Sequence, residues 1–191
     1  MECQCAFRTR SGNYLTAVNG GGIGDAKNKL PLHTNARKIG ASEKFKLVQF
    51  PDGYCAIQTK KGNYLTAVNG GGIGNPRNKH PLHTNSTEIG PWERFVMVSL
   101  GDGFYAFKTP TGHYLTAVNG GGIGEAANKL PLHTDAKKIG KWEKFIIVPL
   151  HTEHQPPPKR AAATKRKPAA KRTAASKPKT ATKRKTTAKR R

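Results

Sequence analysis

Short runs of alternating apolar and polar residues fill the first 150 residues of the chain, without helical periodicity. In the run Cys5–Thr9, every second residue lies on the same side of an extended strand, which places Phe7 on the inward face. The run Tyr14–Asn19 is rich in aromatic and β-branched residues and ends at an Asn-Gly pair, which is typical of tight turns. Two further runs, Leu30–Asn35 and Glu43–Phe50, complete a set of four predicted strands.

The four-strand pattern occurs three times with a period of 50 residues. The block GNYLTAVNGGGIG begins at Gly12 and at Gly62, and GHYLTAVNGGGIG begins at Gly112. A unit of this size cannot bury its own apolar face, so the three units are expected to share one core. The repeats span residues 5–54, 55–104 and 105–152.

Twelve short strands in three equal units predict an all-β fold over residues 1–152. We expect a closed, pseudo-threefold barrel capped by three hairpins, the β-trefoil, because closure removes exposed strand edges. An open solenoid of repeats is the alternative. A solenoid normally requires distinct capping repeats at its ends, and the sequence contains none.

Three motifs carry a resemblance to a known family. They are G-[NH]-Y-L-T-A-V-N-G-G-G, then P-L-H-T, then I-G-x-W-E-[KR]-F, and all three are complete in the second and third repeats. Over residues 5–150 the chain resembles the fascin-like, actin-crosslinking-like branch of the β-trefoil superfamily. The resemblance implies the fold and a binding function, since related trefoils bind actin, sugars, proteins or nucleic acid. The first repeat departs from the pattern, because Ser42 stands where the others have Trp92 and Trp142.

Four positions repeat in each unit and form a candidate ligand site on the predicted trefoil. Lectin-like trefoils usually bring an aromatic ring and a polar group to each lobe, and three equivalent weak sites can act together on a repeating polymer. The alternative is structural, since Tyr and Asn at strand ends and a surface His in a hairpin are ordinary choices. The candidate residues are Tyr14, Tyr64, Tyr114, Asn19, Asn69, Asn119, His33, His83, His133, Lys29, Lys79 and Lys129.

The glycine-rich loop 20–24 follows the second predicted strand. It does not open a helix and lacks the lysine and hydroxyl spacing of a phosphate-binding loop, which argues against a nucleotide site. Glycines can serve the turn alone. Four glycines in five residues are more than a turn needs, so the loop is also predicted to leave room for a ligand to approach the backbone.

The composition changes completely after residue 152. A proline-rich linker, residues 153–158, precedes the 33 residues 159–191, which contain 15 Lys or Arg, 9 Ala, 6 Thr, 2 Pro and 1 Ser. Such a segment cannot bury enough apolar surface to offset the loss of chain entropy, so it is predicted to be disordered when free. It resembles the Lys/Ala/Pro-rich tails of linker histones and of bacterial histone-like proteins.

The cationic tail is predicted to bind DNA or RNA through the phosphate backbone, without sequence preference. A merely solubilising tail, or contact with an anionic membrane, is the alternative. A membrane contact would normally add a lipid or apolar anchor, which the tail lacks. The predicted nucleic-acid-binding residues are Lys159, Arg160, Lys165, Arg166, Lys167, Lys171, Arg172, Lys177, Lys179, Lys183, Arg184, Lys185, Lys189, Arg190 and Arg191.

Other functional classes find little support in the sequence. No nucleophile elbow or zinc-binding HExxH motif occurs, so no enzymatic activity, cofactor or metal site is expected. The three cysteines are expected to be reduced thiols. We expect the protein to be a monomer. Because the sequence shows no signal peptide and no membrane span, we expect it in the cytoplasm, associated with the nucleoid, or in the nucleus if the source is a eukaryote. Actin-filament bundling is the alternative function, and a multivalent lectin-like module is a further alternative.

Overall fold

Each repeat folds into four antiparallel strands, so the predicted all-β fold of twelve strands is confirmed. The computed structural model describes residues 1–25, 29–74, 80–125 and 129–150. Lys79, the linker 153–158 and the tail 159–191 lie outside the described residues. The strands are β1 Glu2–Arg8, β2 Tyr14–Ala17, β3 Leu32–Ala36, β4 Phe45–Gln49, β5 Tyr54–Gln58, β6 Tyr64–Ala67, β7 Leu82–Ser86, β8 Phe95–Ser99, β9 Phe104–Lys108, β10 Tyr114–Ala117, β11 Leu132–Ala136 and β12 Phe145–Pro149.

Six of the strands close into a barrel. β1 pairs with β4, β4 with β5, β5 with β8, β8 with β9, β9 with β12, and β12 returns to β1. Each repeat contributes its first and fourth strand to this ring. Closure leaves the barrel without an unpaired edge strand, which is the physical advantage that the sequence pattern predicted. The architecture is therefore a β-trefoil and not an open solenoid.

The second and third strands of each repeat form a hairpin that caps the barrel. In the first hairpin, Thr16 lies opposite His33 and Ala17 lies opposite Leu32, and the register shifts between Tyr14 and Thr16. The same pairs and the same shift recur in β6–β7 and in β10–β11. The same hairpin geometry therefore places the three candidate histidines at equivalent positions relative to the barrel.

Large apolar side chains from the barrel strands meet in one core. Phe7 is buried, as its place in the alternating pattern predicts. Its ring lies 5.4 Å from that of Phe45 and 5.4 Å from that of Phe107, both in edge-to-face geometry. Aromatic pairs of this kind add about 1 kcal/mol each to the burial of their apolar area. The shared core explains why no single repeat has to be stable alone.

The observed bounds differ from the predicted ones in all four strands of the first repeat, with β1 at Glu2–Arg8 rather than Cys5–Thr9, β3 at Leu32–Ala36 rather than Leu30–Asn35 and β4 at Phe45–Gln49 rather than Glu43–Phe50. β2 ends at Ala17 rather than Asn19, because Val18–Gly20 forms a short 3-10 turn in which Asn19 has φ of 57°. The tight turn predicted at the Asn-Gly pair is confirmed, and both residues have the positive φ that such a pair accepts. Glu43 belongs to the short 3-10 turn Ala41–Glu43 rather than to the fourth strand.

Candidate binding surfaces of the trefoil

The glycine-rich loop packs tightly against the following repeat. A methyl group added at Gly21 would lie 2.8 Å from Cβ of Thr59, and one added at Gly24 would lie 2.8 Å from the side-chain nitrogen of Asn85. Real Cβ atoms do not approach this closely, so Gly21, which also has φ of 107°, requires glycine, whereas at Gly24 a side chain would have to displace the terminal amide of Asn85. The prediction that the loop leaves room for a ligand at the backbone is therefore wrong at Gly21 and Gly24.

Hydrogen bonds tie the same loop to the third strand of the next repeat. The amide of Gly22 donates to the carbonyl oxygen of Thr84 at 2.6 Å, and the amide of Thr84 donates to the carbonyl oxygen of Ile23 at 2.8 Å. Equivalent bonds join Ile73 to Thr134, and Ile123 back to Thr34. The three repeats therefore hold one another in a closed cycle.

The repeated glutamate also has a structural role that the sequence did not reveal. The side chain of Glu43 is buried and accepts hydrogen bonds from the Thr16 hydroxyl at 2.8 Å and from the Gly40 amide at 2.7 Å. Glu93 and Glu143 accept the same pair of bonds in their own repeats. This carboxylate links the hairpin to the turn before the fourth strand, and buried polar groups are normally satisfied in this way.

The candidate Tyr, Asn and His positions lie on the hairpin strands or on the 3-10 turns that follow β2, β6 and β10. In the first repeat, Tyr14 is half-buried at the start of β2, and Asn19 is exposed on the 3-10 turn. His33 is half-buried on β3, and no hydrogen bond or ring contact joins these three side chains within the described part of the chain. Lys29 and Lys129 are exposed.

Burial keeps two of the candidate histidines neutral near pH 7. Desolvation lowers the pKa of His33, and the carboxylate of Glu125 in the third repeat partly opposes this shift. Desolvation likewise lowers the pKa of His133, against the opposing charge of Asp135, whose Oδ1 lies 3.9 Å from Nδ1 of His133. These histidines therefore add little positive charge near pH 7, and within the described residues the buried Nε2 of His33 has no hydrogen-bond partner.

Besides Tyr54, the candidate residues omitted two exposed aromatic side chains, Trp92 and Trp142. They are 46% and 38% exposed. A methyl group added at Gly70 would lie 3.7 Å from Cδ1 of Trp92, so the indole lies beside the turn that follows β6. Trp142 has the same relation to Gly120. An exposed indole beside a glycine turn is a flat apolar surface with a polar tip, which is typical of a binding position.

The hairpins also meet around a small apolar cavity of about 20 Å³, which Leu30, His80 and Leu130 line together with the following Pro-Leu pairs. This volume holds about one water molecule, so the cavity is too small for an organic ligand. His80 breaks the threefold pattern here, since the other two repeats have leucine.

Metal and thiol chemistry receive no support from the described residues. Nowhere in that part of the chain do three His, Cys, Asp or Glu side chains gather closely enough to hold a metal ion. The three cysteines form no disulfide, and burial raises the pKa of Cys5 and of Cys55 to about 12. Cys3 is exposed. Within the same residues, no helix has the length and apolar character that crossing a membrane requires.

Comparison with known proteins places the chain by fold alone. No protein-family model matches the sequence, and no curated protein matches it. The designed threefold-symmetric protein ThreeFoil aligns with a TM-score of 0.62 at 19% identity, over 77% of this chain and 99% of its own. The Rhizoctonia solani agglutinin aligns with a TM-score of 0.54 at 15% identity, over 78% of this chain and 96% of its own.

A third similar structure was solved with a ligand. SeviL bound to the asialo-GM1 saccharide aligns with a TM-score of 0.53 at 15% identity, over 77% of this chain and 97% of its own. Identities this low carry the fold and not the ligand. The β-trefoil is thus confirmed, whereas the narrower fascin-like resemblance and the actin binding that it implies stay predictions.

Proposed function

We propose that this protein is a non-enzymatic binding protein in which residues 159–191 hold DNA or RNA by the phosphate backbone and the β-trefoil supplies a rigid binding module. The observation that carries the proposal is the density of cations at the C-terminal end. Of these 33 residues, 15 are Lys or Arg and none is acidic. Each cation can neutralise one phosphate and release a condensed counterion.

The charge of the trefoil supports the same partner. Up to Pro158 the chain has 19 Lys and Arg against 11 Asp and Glu. Among the described residues, Lys or Arg forms an ion pair with a carboxylate at two places only, Lys46–Glu2 and Arg94–Asp52. Most of the surface cations in that part are therefore available to a polyanion, and they raise its local concentration.

Binding of this kind is independent of nucleotide sequence. Residues 159–191 contain no aromatic side chain that could stack on a base. Recognition of sequence requires contacts to base edges from a positioned element, whereas contacts to phosphates fix only the register. We expect strong binding at low salt and steep weakening as salt rises.

A salt titration of duplex binding tests the proposal. The full chain and a chain that ends at Pro158 are compared by gel shift, and denaturant unfolding verifies that both have the same folded trefoil. Ten phosphate contacts would give a slope of about −9 for the logarithm of the binding constant against the logarithm of salt concentration. The shortened chain should lose most of the affinity. Retention of affinity within a factor of about three would contradict the proposal.

Carbohydrate binding by the trefoil is the second candidate function, and the exposed indoles of Trp92 and Trp142 favour it. Each indole lies beside a glycine turn on the hairpin side of its repeat, where a sugar ring can stack on the indole face. The similarity in fold to a protein solved with the asialo-GM1 saccharide gives a first probe. Two such sites on one rigid body would bind a branched or repeating glycan more tightly than either alone.

Thermal unfolding with and without that saccharide tests the second candidate. Ligand that binds only the folded state raises the midpoint of unfolding. The rise should disappear in the double variant Trp92→Ala and Trp142→Ala and persist in Ser42→Ala, which alters the equivalent position of the first repeat. If neither this saccharide nor a panel of simple sugars raises the midpoint of the unaltered chain, the carbohydrate hypothesis is wrong.

A further inference from the structure

A polar groove opens at the boundary between the first and second repeats. Its volume is about 290 Å³, at the low end for ligand sites in proteins, so it suits a small polar group rather than a bulky organic molecule. β1 and β4 contribute one side, and the end of β5 with the turn after it contributes the other. The polar lining includes Gln4, Lys44, Lys46, Gln58, Thr59 and Lys60.

Three ammonium groups dominate the electrostatics of this groove. Lys44 and Lys60 are exposed, and within the described residues no carboxylate lies within ion-pair distance of either. Lys46 is 3.2 Å from the carboxylate of Glu2, and both side chains remain substantially exposed. One carboxylate therefore faces three lysines, and the excess positive charge favours an anion over water in the groove.

The other two repeat boundaries carry aromatic rings at the position that opens the groove. Gln4 corresponds to Tyr54 and Phe104 in the 50-residue register. The guanidinium of Arg94 lies 6.0 Å from the ring centroid of Tyr54, and that of Arg10 lies 5.7 Å from that of Phe104. At these two boundaries, an aromatic ring with a cation stacked on it occupies the position that Gln4 has at the first boundary. At the first boundary, glutamine gives the lysines no ring to stack on and leaves their charge available to a ligand.

A second difference places Lys46 in the groove. Its equivalents in the other repeats are Val96 and Ile146, which are apolar. The first boundary therefore combines the loss of a ring with the gain of Lys46, while Gln58 stands where the other repeats have Lys108 and Arg8. The cations of the first boundary thus differ from those of the others in position and in having no ring beside them.

A third difference leaves a hydrogen-bond donor unused in the lining. The hydroxyls of Thr9 and Thr109 lie 3.3 Å and 3.5 Å from hydroxyls two residues later in the chain. In the second repeat that later residue is Lys61, and the buried hydroxyl of Thr59 has no hydrogen-bond partner within the described residues. A buried donor without a partner is unfavourable, but this hydroxyl packs against Gly21, so the lysines and not Thr59 favour a ligand here.

We infer that this groove binds a phosphate group through Lys44, Lys46 and Lys60. The further assignment of that phosphate to a nucleic-acid backbone rests on the proposed function. Three flexible ammonium groups suit a tetrahedral oxyanion that they surround as point charges. Glu2 is exposed, so it can leave Lys46 when phosphate enters. The trefoil then provides a fixed phosphate contact in addition to the contacts made by residues 159–191.

Titration of the full chain with inorganic pyrophosphate tests the groove without nucleic acid. Backbone NMR signals of Gln58, Thr59 and Lys60 should shift and saturate. The double variant Lys44→Gln and Lys60→Gln should bind at least about tenfold more weakly, a loss of about 1.4 kcal/mol. A control that removes the same charge elsewhere, Lys137→Gln and Lys138→Gln, should stay within about twofold. Equal affinities for the two variants, or shifts spread over all surface lysines, would overturn the inference.

Duplex binding by the same three full-length proteins separates the two sources of phosphate. The groove variant should reduce the steepness of the salt dependence by about 1.8, since two phosphate contacts at about 0.9 each are lost. The control variant should change it less. If the unaltered chain binds pyrophosphate in the groove but no duplex at low salt, the groove stands and the proposed function fails. If duplex binding persists while the pyrophosphate shifts are absent, the groove inference fails alone.

Discussion

The hydroxyl of Thr84 in the second repeat lies 3.2 Å from the amide nitrogen and 3.2 Å from the carbonyl oxygen of Ile23 in the first. It accepts from the amide and donates to the carbonyl, and the Thr84 amide also donates to that carbonyl at 2.8 Å. Because the contact recurs at all three boundaries, each repeat is held by the one before it. Cooperative unfolding of the three repeats as one unit is the physical consequence.

Removing the Thr84 hydroxyl should therefore destabilise the whole trefoil. The variant Thr84→Val keeps the shape of the side chain but leaves the buried amide of Ile23 without its side-chain acceptor, which should lower the free energy of unfolding by about 1–3 kcal/mol. Chemical denaturation measures this change. The exposed Thr87→Val serves as control and should stay within about 0.5 kcal/mol. Similar values for the two variants would contradict the cyclic arrangement.

The glycine loop offers a test of packing against backbone strain. Gly21 has φ of 107° and no space for a methyl group, whereas Gly12 has φ of 88° and no atom within 4 Å of the added carbon. Gly12→Ala should cost about 1–2 kcal/mol, since the left-handed backbone is its only penalty. Gly21→Ala should cost clearly more, because the Thr59 side chain must also move. Chemical denaturation of both variants measures the two losses of stability. Equal losses would show that packing against Thr59 adds nothing to the cost of a side chain at Gly21.

The thiols should differ sharply in reactivity. Burial raises the pKa of Cys5 and Cys55 to about 12, and the reactive species is the thiolate. At pH 8 only the exposed Cys3 should react quickly with a disulfide reagent, and all three thiols should react after denaturation. Colorimetric thiol counting follows both phases. In Cys3→Ser the fast phase should vanish, and rapid reaction of a second thiol in the folded protein would contradict the placement of the buried pair.

The repeat period and the barrel could be predicted from the sequence because they depend on local information. Alternation defines a strand such as β1, and a 50-residue period with four strands per unit leaves few closed arrangements. The ends of strands were predicted less well. The 3-10 turn at Asn19 depends on a left-handed backbone, and the buried Glu43 depends on Thr16, which is 27 residues away. The Asn-Gly pair is a local signal for the first relation, whereas no local pattern shows the second.

The packing of the glycine loop and the groove could not be predicted from residue spacing, because both depend on contacts between repeats. Gly24 is identical in all copies, but its reason lies in Asn85 of the next repeat. The groove had a signal in the sequence, since Gln4 differs from Tyr54 and Phe104. That difference becomes meaningful only when β1 is seen beside β4 and β5. Residues that are identical in the three repeats pack the repeats together, whereas residues that differ between repeats, such as Gln4, line the candidate groove.

Acidification should destabilise the trefoil through two of its histidines. Burial lowers the pKa of His33 and His133 in the folded state, despite the opposing charges of Glu125 and Asp135. The unfolded chain, with an ordinary histidine pKa of about 6.5, therefore takes up protons first as pH falls. The free energy of unfolding should decline as pH drops through that value and level off below the folded-state pKa. Denaturation of the unaltered chain and of the double variant His33→Gln and His133→Gln at a series of pH values measures the difference. The variant should show the shallower decline because it lacks the two histidines whose pKa is lowered on folding, and parallel profiles would contradict the role of burial.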